Sequence, residues 1–231
     1  MKILAIDTSS KICSVSILED NKVIIEKHND DEKTHSQKLM PLIDELLKEA
    51  NLTLDNIDLL ACSQGPGSFT GIRIGISTVK AFADVKNIPI IGVTSLESLA
   101  YNVNHSGLIA TLIDAKHDNV YFALYELKDN TYTTIIEPVS DSIANVLQIL
   151  KKYSNVITFV GDGASVHNDL LTNEFTSCKF ASEQQNIQTS ISIGKSAFDK
   201  YNSNNYTPVY TLSPIYLKKS QAEINLENSK K

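Results

Sequence analysis

The sequence predicts an α/β protein made of two similar lobes, and three observations lead to this prediction. Short segments with the period of β-strands alternate along the chain with longer segments of helical period. The order of these segments in the first half of the chain starts again in the second half. The 231 residues are 42% hydrophobic, which is enough to form one large core or two modest ones.

The segments of the first half are assigned in chain order. Strands are predicted from apolar runs or from alternation at residues 2–7, 12–18, 22–28, 57–63 and 89–92. Helices are predicted from apolar side chains at helical spacing at residues 36–50, 69–85 and 95–103. Pro41 lies inside the first of these helices. We therefore expect a kink there, or a regular helix only on its C-terminal side.

The second half repeats this order. An apolar run at residues 108–114 ends at Asp114, as the first strand ends at Asp7. With the two aspartates aligned, three apolar residues of the next strand coincide with three in the second half: Cys13 with Val120, Val15 with Phe122, and Ile17 with Leu124. A strand before Gly65-Pro66-Gly67 is likewise matched by a strand before Gly161-Asp162-Gly163. Two duplicated β-β-β-α-β-α lobes describe the actin-like ATPase (ASKHA) fold.

The boundary between the lobes is predicted in the polar, turn-rich stretch at residues 102–107. This gives an N-terminal lobe of residues 1–104 and a C-terminal lobe of residues 105–218. A helix near residues 190–201 is expected to pack back across the boundary. Residues 219–231 are polar, and we expect a mobile tail there.

The composition disfavours several classes of protein. No apolar run approaches the roughly 20 residues of a membrane helix, and Asp7 interrupts the first apolar stretch, so no signal peptide is predicted. Cys13, Cys62 and Cys178 lie far apart, which favours free thiols over disulfides or a zinc ribbon. The net charge is −6, without the basic stripe typical of proteins that hold a nucleic acid alone. We expect a cytoplasmic protein.

The cleft between such lobes is a candidate nucleotide site. Its candidate residues are Asp7, Thr8, Ser9, Asp114 and Gly161. A strand-end aspartate followed by hydroxyl groups can position a magnesium-bound water and phosphate oxygens, but the same residue types are common in hairpin turns. Asp114 and Asp162 are candidates for the base that a small-molecule kinase of this fold requires. The kinase therefore stays open as an alternative function.

His35 opens the first predicted helix without a second metal ligand. A metal site on a helix needs two ligands on one face, three or four residues apart. The residue one turn beyond His35 is Leu39, and residues 38–40 contain no His, Cys, Asp or Glu. We therefore expect His35 to form a local hydrogen bond or to lie in a contact surface, and a metalloprotease is disfavoured.

Three glycines, Gly67, Gly71 and Gly75, recur every four residues at the start of the helix at residues 69–85. A glycine inside a helix costs roughly 0.5–1 kcal/mol relative to alanine, so close packing must offset this loss. Either the glycine stripe packs on the sheet of its own chain, or a helix of another chain approaches it. The preceding loop lacks the Gly-Lys-Ser/Thr ending of a P-loop.

Six segments in this order resemble the bacterial TsaB (YeaZ) family over nearly the whole chain. They are ILAIDTSSKICSVSI, HSQKLMPLIDELL, GPGSFTGIRIGISTVKAFA, IGVTSLESLA, LIDAKHDNVYFALY and PIYLKK. The resemblance implies a non-catalytic subunit of the machinery that makes threonylcarbamoyladenosine in tRNA. It also implies a catalytic partner, TsaD, of related fold with a His-x-x-x-His metal pair, and an ATPase, TsaE, that joins the complex. Here His35 is present, but Leu39 stands where the second histidine would be.

The resemblance also implies how this subunit works. Its first two helices are expected to bind TsaD. When TsaD is absent, the same surface could pair with a second copy about a two-fold axis, so we expect a homodimer of the isolated chain. The residues expected at this interface are His35, Leu39, Met40, Ile43, Leu47, Phe69, Gly71, Ile72, Gly75, Thr78 and Phe82. We expect no cofactor on this chain, ATP or ADP and metal on the partner subunits, and contact with tRNA mainly through the complex. Gly75→Leu is expected to weaken pairing without disturbing the fold.

Overall fold

A computed structural model describes residues 1–29, 34–153 and 156–218, so the tail predicted at residues 219–231 lies outside the described residues. The strands of the first sheet are β1 (Lys2–Asp7), β2 (Cys13–Glu19), β3 (Lys22–Asn29), β4 (Leu59–Ser63) and β5 (Ile90–Val93). The helices between residues 34 and 104 are α1 (His35–Glu49), α2 (Phe69–Lys86) and α3 (Ser95–Ala100). The strands of the second sheet are β6 (Gly107–Asp114), β7 (Asn119–Lys128), β8 (Thr131–Ser142), β9 (Ile157–Val160) and β10 (Cys178–Phe180). The helices that follow are α4 (Ile143–Leu150), α5 (Asp162–Val166), α6 (Asn168–Glu174) and α7 (Ser190–Asn202).

The two sheets have the same topology. The first has the order β3-β2-β1-β4-β5, and the second has the order β8-β7-β6-β9-β10. In each sheet the first three strands of the chain pair as antiparallel hairpins, and the last two pair in parallel beside the first. This order confirms the predicted duplication of a β-β-β-α-β-α unit.

Each sheet buries both of its faces under helices. Apolar residues of α1 and α2 pack on one face of the first sheet, and α4, α5 and α6 cover the corresponding face of the second. The opposite face of each sheet is covered by a helix from the other half of the chain. Leu96 and Leu99 of α3 pack on the second sheet, whereas Ile193 and Ala197 of α7 pack on the first. The helix predicted near residues 190–201 therefore returns to the first sheet, as expected, while the boundary at residue 104 stays a prediction.

The aligned aspartates are displaced by one residue from true equivalence. Ile6 of β1 pairs with Val15, and Leu112 of β6 pairs with Phe122, the residue that the repeat aligns with Val15. Ile6 and Leu112 are therefore structurally equivalent. Asp114 lies two residues after Leu112, whereas Asp7 directly follows Ile6. Since successive side chains on a strand point to opposite faces, the two aspartates face opposite sides of their sheets, which corrects the predicted alignment.

Pro41 does not restrict the regular part of α1. The helix begins at His35, ahead of Pro41, and the backbone N–H of Thr34 donates to Oε1 of Gln37 in its first turn. Leu39 and Ile43 are both buried, one on each side of Pro41. Their packing offsets the hydrogen bond that proline cannot form. None of the helices in the described residues combines the length and apolar character that a membrane crossing requires.

Candidate functional site

An open groove of about 460 Å³ lies between the outer surfaces of α1 and α2, and we call it the α1/α2 groove. Its lining residues are Ser36, Leu39, Met40, Phe69, Thr70, Arg73, Ile74, Ser77 and Thr78. Met40 is 50% exposed and Phe69 is 44% exposed, so two large apolar side chains lie open to solvent on adjacent helices. Neighbouring exposed apolar side chains of this kind are typical of a surface that contacts another macromolecule.

Only part of the predicted interface lies in this groove. Met40, Phe69 and Thr78 line it, and Leu39 forms its floor although only 1% of it is exposed. Leu47 and Phe82 do not line it, because they pack partly buried against the core under the helices.

Two other predicted interface residues belong to the core of the first sheet. Ile43 is 2% exposed and Ile72 is 1% exposed, and both pack in the apolar cluster between the helices and the sheet. Their side chains hold α1 and α2 on the sheet and present no surface to a partner. Their burial in the chain alone does not favour Ile43 and Ile72 as contact residues, which stay a prediction.

The glycine stripe packs inside the chain. A Cβ atom at Gly71 would overlap the backbone carbonyl oxygen of Thr8, and one at Gly75 would lie 2.6 Å from Oγ1 of Thr8. Oγ1 of Thr8 donates a hydrogen bond of 2.7 Å to the carbonyl oxygen of Gly71. Gly71 and Gly75 therefore let the loop after β1 contact the backbone of α2. This contact does not favour Gly71 and Gly75 as partner contacts, and it corrects the expectation that Gly75→Leu leaves the fold intact.

His35 ties the start of α1 to the same loop. Its Nε2 atom lies 2.8 Å from the carbonyl oxygen of Ser10. A carbonyl can only accept, so we assign the proton to Nε2. The Nδ1 atom is buried and has no hydrogen-bond partner among the described residues. No group of three His, Cys, Asp or Glu residues suited to a metal occurs in the described parts of the chain. The ring thus has the local hydrogen bond that the sequence suggested as one alternative.

A second feature of the groove was not predicted. The guanidinium carbon of Arg73 lies 3.9 Å from the ring centroid of Phe69, and Nε of Arg73 donates a 2.7 Å hydrogen bond to the hydroxyl of Tyr216. The rings of Phe69 and Tyr216 stack at 4.7 Å. The spacing of Phe69 and Arg73 on one helical face was visible in the sequence, but no pattern linked them to Tyr216 near the end of the described chain.

The predicted nucleotide cleft corresponds to a cavity of about 620 Å³ between the two sheets. Ser9 and Gly67 line it from the first half of the chain, and Asp114, Asp162 and Gln188 line it from the second. The structure thus brings Ser9 and Asp114 to one cavity, as predicted from the fold. Thr8 and Gly161 are not among its lining residues.

Asp7 lies beneath this cavity and is fully buried. Its Oδ1 atom accepts hydrogen bonds from the backbone N–H and the Oγ of Ser9, at 2.8 and 2.6 Å. Its Oδ2 atom has no partner among the described residues. Burial raises the pKa of Asp7, although the hydrogen bonds from Ser9 and the nearby His35 act in the opposite direction. The surroundings therefore favour an uncharged Asp7. The sequence predicted Asp7 in the cleft, but its side chain does not line the cavity.

The candidate groups from the second lobe already have partners. Burial raises the pKa of Asp114, but hydrogen bonds from the backbone and side chain of Lys116 outweigh it, so the pKa lies below its ordinary value. A carboxylate held in this way is a weak base. The backbone N–H of Gly161 donates to Oδ1 of Asn186 at 2.8 Å and is not free to bind a phosphate. These contacts do not favour the kinase.

Comparisons with known proteins agree on one group of relatives. A family model described as "TsaD: tRNA N6-adenosine threonylcarbamoyltransferase" matches residues 25–226. The chain is 32% identical to the tRNA threonylcarbamoyladenosine biosynthesis protein TsaB of Bacillus subtilis (strain 168), and the match covers 100% of both chains. It superposes with a TM-score of 0.79 and 25% identity on a Pseudomonas aeruginosa protein described as similar to the peptidase YEAZ, covering 94% of this chain and 99% of that one.

A more distant likeness concerns the fold alone. The ROK hexokinase of Thermus thermophilus matches with a TM-score of 0.53 and 9% identity, over 88% of this chain and 100% of that one. Hexokinases of this group have the actin-like fold, so the likeness confirms the fold class that the duplicated lobes predicted. At this identity it shows nothing about activity.

Proposed function

The chain belongs to the TsaB (YeaZ) family, and from this premise we propose that it is a non-catalytic subunit that binds a TsaD-like catalytic subunit during threonylcarbamoyladenosine modification of tRNA. Its relatives are named for biosynthesis of this modified nucleoside.

The α1/α2 groove is the observation that carries this proposal. It combines exposed apolar side chains, Met40 and Phe69, with two helices that are held firmly on the sheet. An apolar groove between two helices suits a partner that presents helices of its own. The partner surface we propose is therefore the groove itself, centred on Met40, Phe69 and Thr78, and excludes the buried glycine stripe.

The environment of His35 supports a non-catalytic role. The family model that matches the chain is described by a transferase activity. One turn beyond His35, where the metal pair of the catalytic partner would have its second histidine, this chain has Leu39, which is 1% exposed. The imidazole itself contacts the carbonyl oxygen of Ser10. A single histidine directed at the backbone is poorly suited to hold a divalent metal.

The remaining parts of the proposal follow from the family and from the charge of the chain. We place ATP or ADP and metal on the partner subunits, and assign this chain no cofactor of its own. A TsaE-like ATPase joins the complex, and the chain forms a homodimer through the same groove when the catalytic subunit is absent. With a net charge of −6, the chain reaches tRNA mainly through the complex. We place it in the cytoplasm.

Reconstitution tests this function directly. The full chain is mixed with the catalytic subunit, the ATPase, tRNA and the substrates of the modification, and the modified nucleoside is measured with each protein omitted in turn. We expect no product when this chain is left out, and no turnover of ATP by this chain alone. Full product without it would refute the proposal, and ATP turnover by the isolated chain would favour the kinase.

A further inference from the structure

The side chain of Arg73 is held in place before any partner binds. Its guanidinium group lies over the ring of Phe69 at 3.9 Å and within 5.7 Å of the ring centroid of Tyr216. Its Nε atom is hydrogen-bonded to the hydroxyl of Tyr216. A guanidinium fixed by stacking and by a hydrogen bond loses little conformational entropy when it forms a further contact.

Among the residues that the structure describes, no acid contacts the end of this guanidinium group. Arg73 is exposed, and among the described residues no carboxylate forms an ion pair with it. The two terminal nitrogens therefore have donors to offer, in the planar arrangement that matches a carboxylate. Its neighbours in the groove, such as Met40, Ile74 and Thr78, are apolar or carry a hydroxyl. Arg73 is the one charged side chain among the described residues that line the groove.

We propose that Arg73 is the charged anchor of the α1/α2 groove and pairs with a carboxylate of the partner subunit, while Tyr216 positions it. This inference rests on the proposed function and adds the chemistry by which the partner is recognised. An arginine at the centre of an apolar contact, where the partner excludes water, is a frequent source of binding energy at protein interfaces. Tyr216 also makes the C-terminal segment part of the docking surface, although it is far from both helices in sequence.

A phosphate group of tRNA is the other anion that an arginine can bind. Proteins that hold a nucleic acid backbone present several cations together, because each neutralised phosphate contributes only part of the affinity. In its described lining, the α1/α2 groove offers one cation, Arg73, beside two exposed apolar side chains, Met40 and Phe69. This composition favours a protein partner with a single carboxylate set in an apolar surface.

The test measures the dissociation constant between the full chain and the TsaD-like catalytic subunit by calorimetry at low and moderate salt. Arg73→Gln is expected to weaken binding about tenfold and to reduce its dependence on salt. Tyr216→Phe keeps the ring stack but removes the hydroxyl that accepts from Nε, so we expect about a threefold loss. Lys179→Gln, which removes an exposed charge from β10 of the second sheet, is the control and should bind as the parent chain does.

A double variant distinguishes positioning from a general structural role. If Tyr216 acts through Arg73, Tyr216→Phe should have no further effect in a chain that already carries Arg73→Gln. Additive losses in the double variant would overturn the positioning role. In addition, Arg73→Glu should bind poorly, and binding should return when one acidic residue of the catalytic subunit is changed to arginine.

Three results would overturn the inference. One is unchanged affinity for the catalytic subunit in Arg73→Gln. Another is a variant that binds the catalytic subunit normally but retains less tRNA in the assembled complex, which would assign the guanidinium to phosphate. The third is a loss confined to self-association of this chain, which would assign it to a second copy. If the parent chain itself does not bind the catalytic subunit, the proposed function fails at that step, before Arg73 is tested.

Discussion

The two lobes share one topology but differ in the helices on their outer faces. The first sheet carries α1 with 15 residues and α2 with 18, whereas the corresponding face of the second sheet carries α4, α5 and α6 with 8, 5 and 7. At 1.5 Å per residue, α2 is about 27 Å long and α5 about 8 Å. A pair of long helices can form a groove for a partner, and a set of short helices does little more than cover its own sheet. Among the described residues, the same topology therefore carries the pair of long helices that we propose as a docking surface on the first sheet, and shorter helices on the second.

The largest effect is expected where α2 contacts the loop after β1. Gly71→Leu places a side chain against the backbone of Thr8, which has no room to move because the loop is held by hydrogen bonds to Asp7 and His35. We expect a loss of at least about 4 kcal/mol in the free energy of unfolding, or an insoluble chain. Thermal unfolding measures this effect. The neighbouring exposed Thr70→Ala is the control, and equal stability of the two variants would contradict the packing described here.

The next largest effect tests the exchange of helices between the sheets. Ile193 of α7 is completely buried on the first sheet, although it lies beyond the second sheet in sequence. Ile193→Ala should lower the free energy of unfolding by about 2–4 kcal/mol, through lost burial and the cavity that remains. Because α7 closes the first sheet, denaturant unfolding followed on both lobes should show them losing stability together. A loss of stability confined to the second lobe would contradict the packing of α7 on the first sheet.

A charge in the groove should distinguish the lobes in binding. Met40→Asp puts a carboxylate on the apolar groove of the first lobe, and we expect about a thirtyfold loss of affinity for the catalytic subunit, or roughly 2 kcal/mol. Leu170→Asp is the matched change on α6 of the second lobe, where the leucine is 37% exposed. It should bind normally. Equal losses would show that the partner contacts both lobes.

The smallest effect concerns the strand-end aspartates, which should respond to pH with opposite signs. The pKa of Asp7 is raised by burial, so its contribution to stability is greatest at low pH and declines as pH rises above its ordinary value of 3.8. Asp7→Asn removes this penalty, and we expect added stability at pH 7 that disappears near pH 3. The pKa of Asp114 is lowered, so its contribution is present above the ordinary value and is lost in acid.

Asp114→Asn is the comparison for this measurement. It should destabilise the chain slightly at neutral pH and have no effect in acid, because the ion pair with Lys116 is then absent in either case. Unfolding curves of both variants between pH 3 and pH 8 show whether each substitution raises or lowers the free energy of unfolding. The same sign for both would contradict the different surroundings of the two carboxyl groups.

Several features were predicted from the sequence because they depend on neighbours along the chain. The strand and helix periods located most elements within a few residues, and the restart of the pattern at residues 108–114 revealed the duplication. The missing second ligand near His35 was equally visible, since a helix places ligands at fixed spacing. Even here the alignment of Asp7 with Asp114 was one residue out, because loop lengths between strands do not reveal which residues pair.

The surface that we propose for docking depends on the tertiary structure. The glycine spacing of α2 indicated a close contact, but the sequence could not say whether Thr8 of the same chain or another helix would fill it. Arg73 and Phe69 lie on one helical face by sequence, yet the arrival of Tyr216 depends on where the C-terminal segment crosses the molecule. Periodicity along a chain determines which residues share a face. Which of those faces is covered depends on segments far away in the sequence, 63 residues from Gly71 in the case of Thr8 and 143 residues from Arg73 in the case of Tyr216. Only the folded chain brings these segments together.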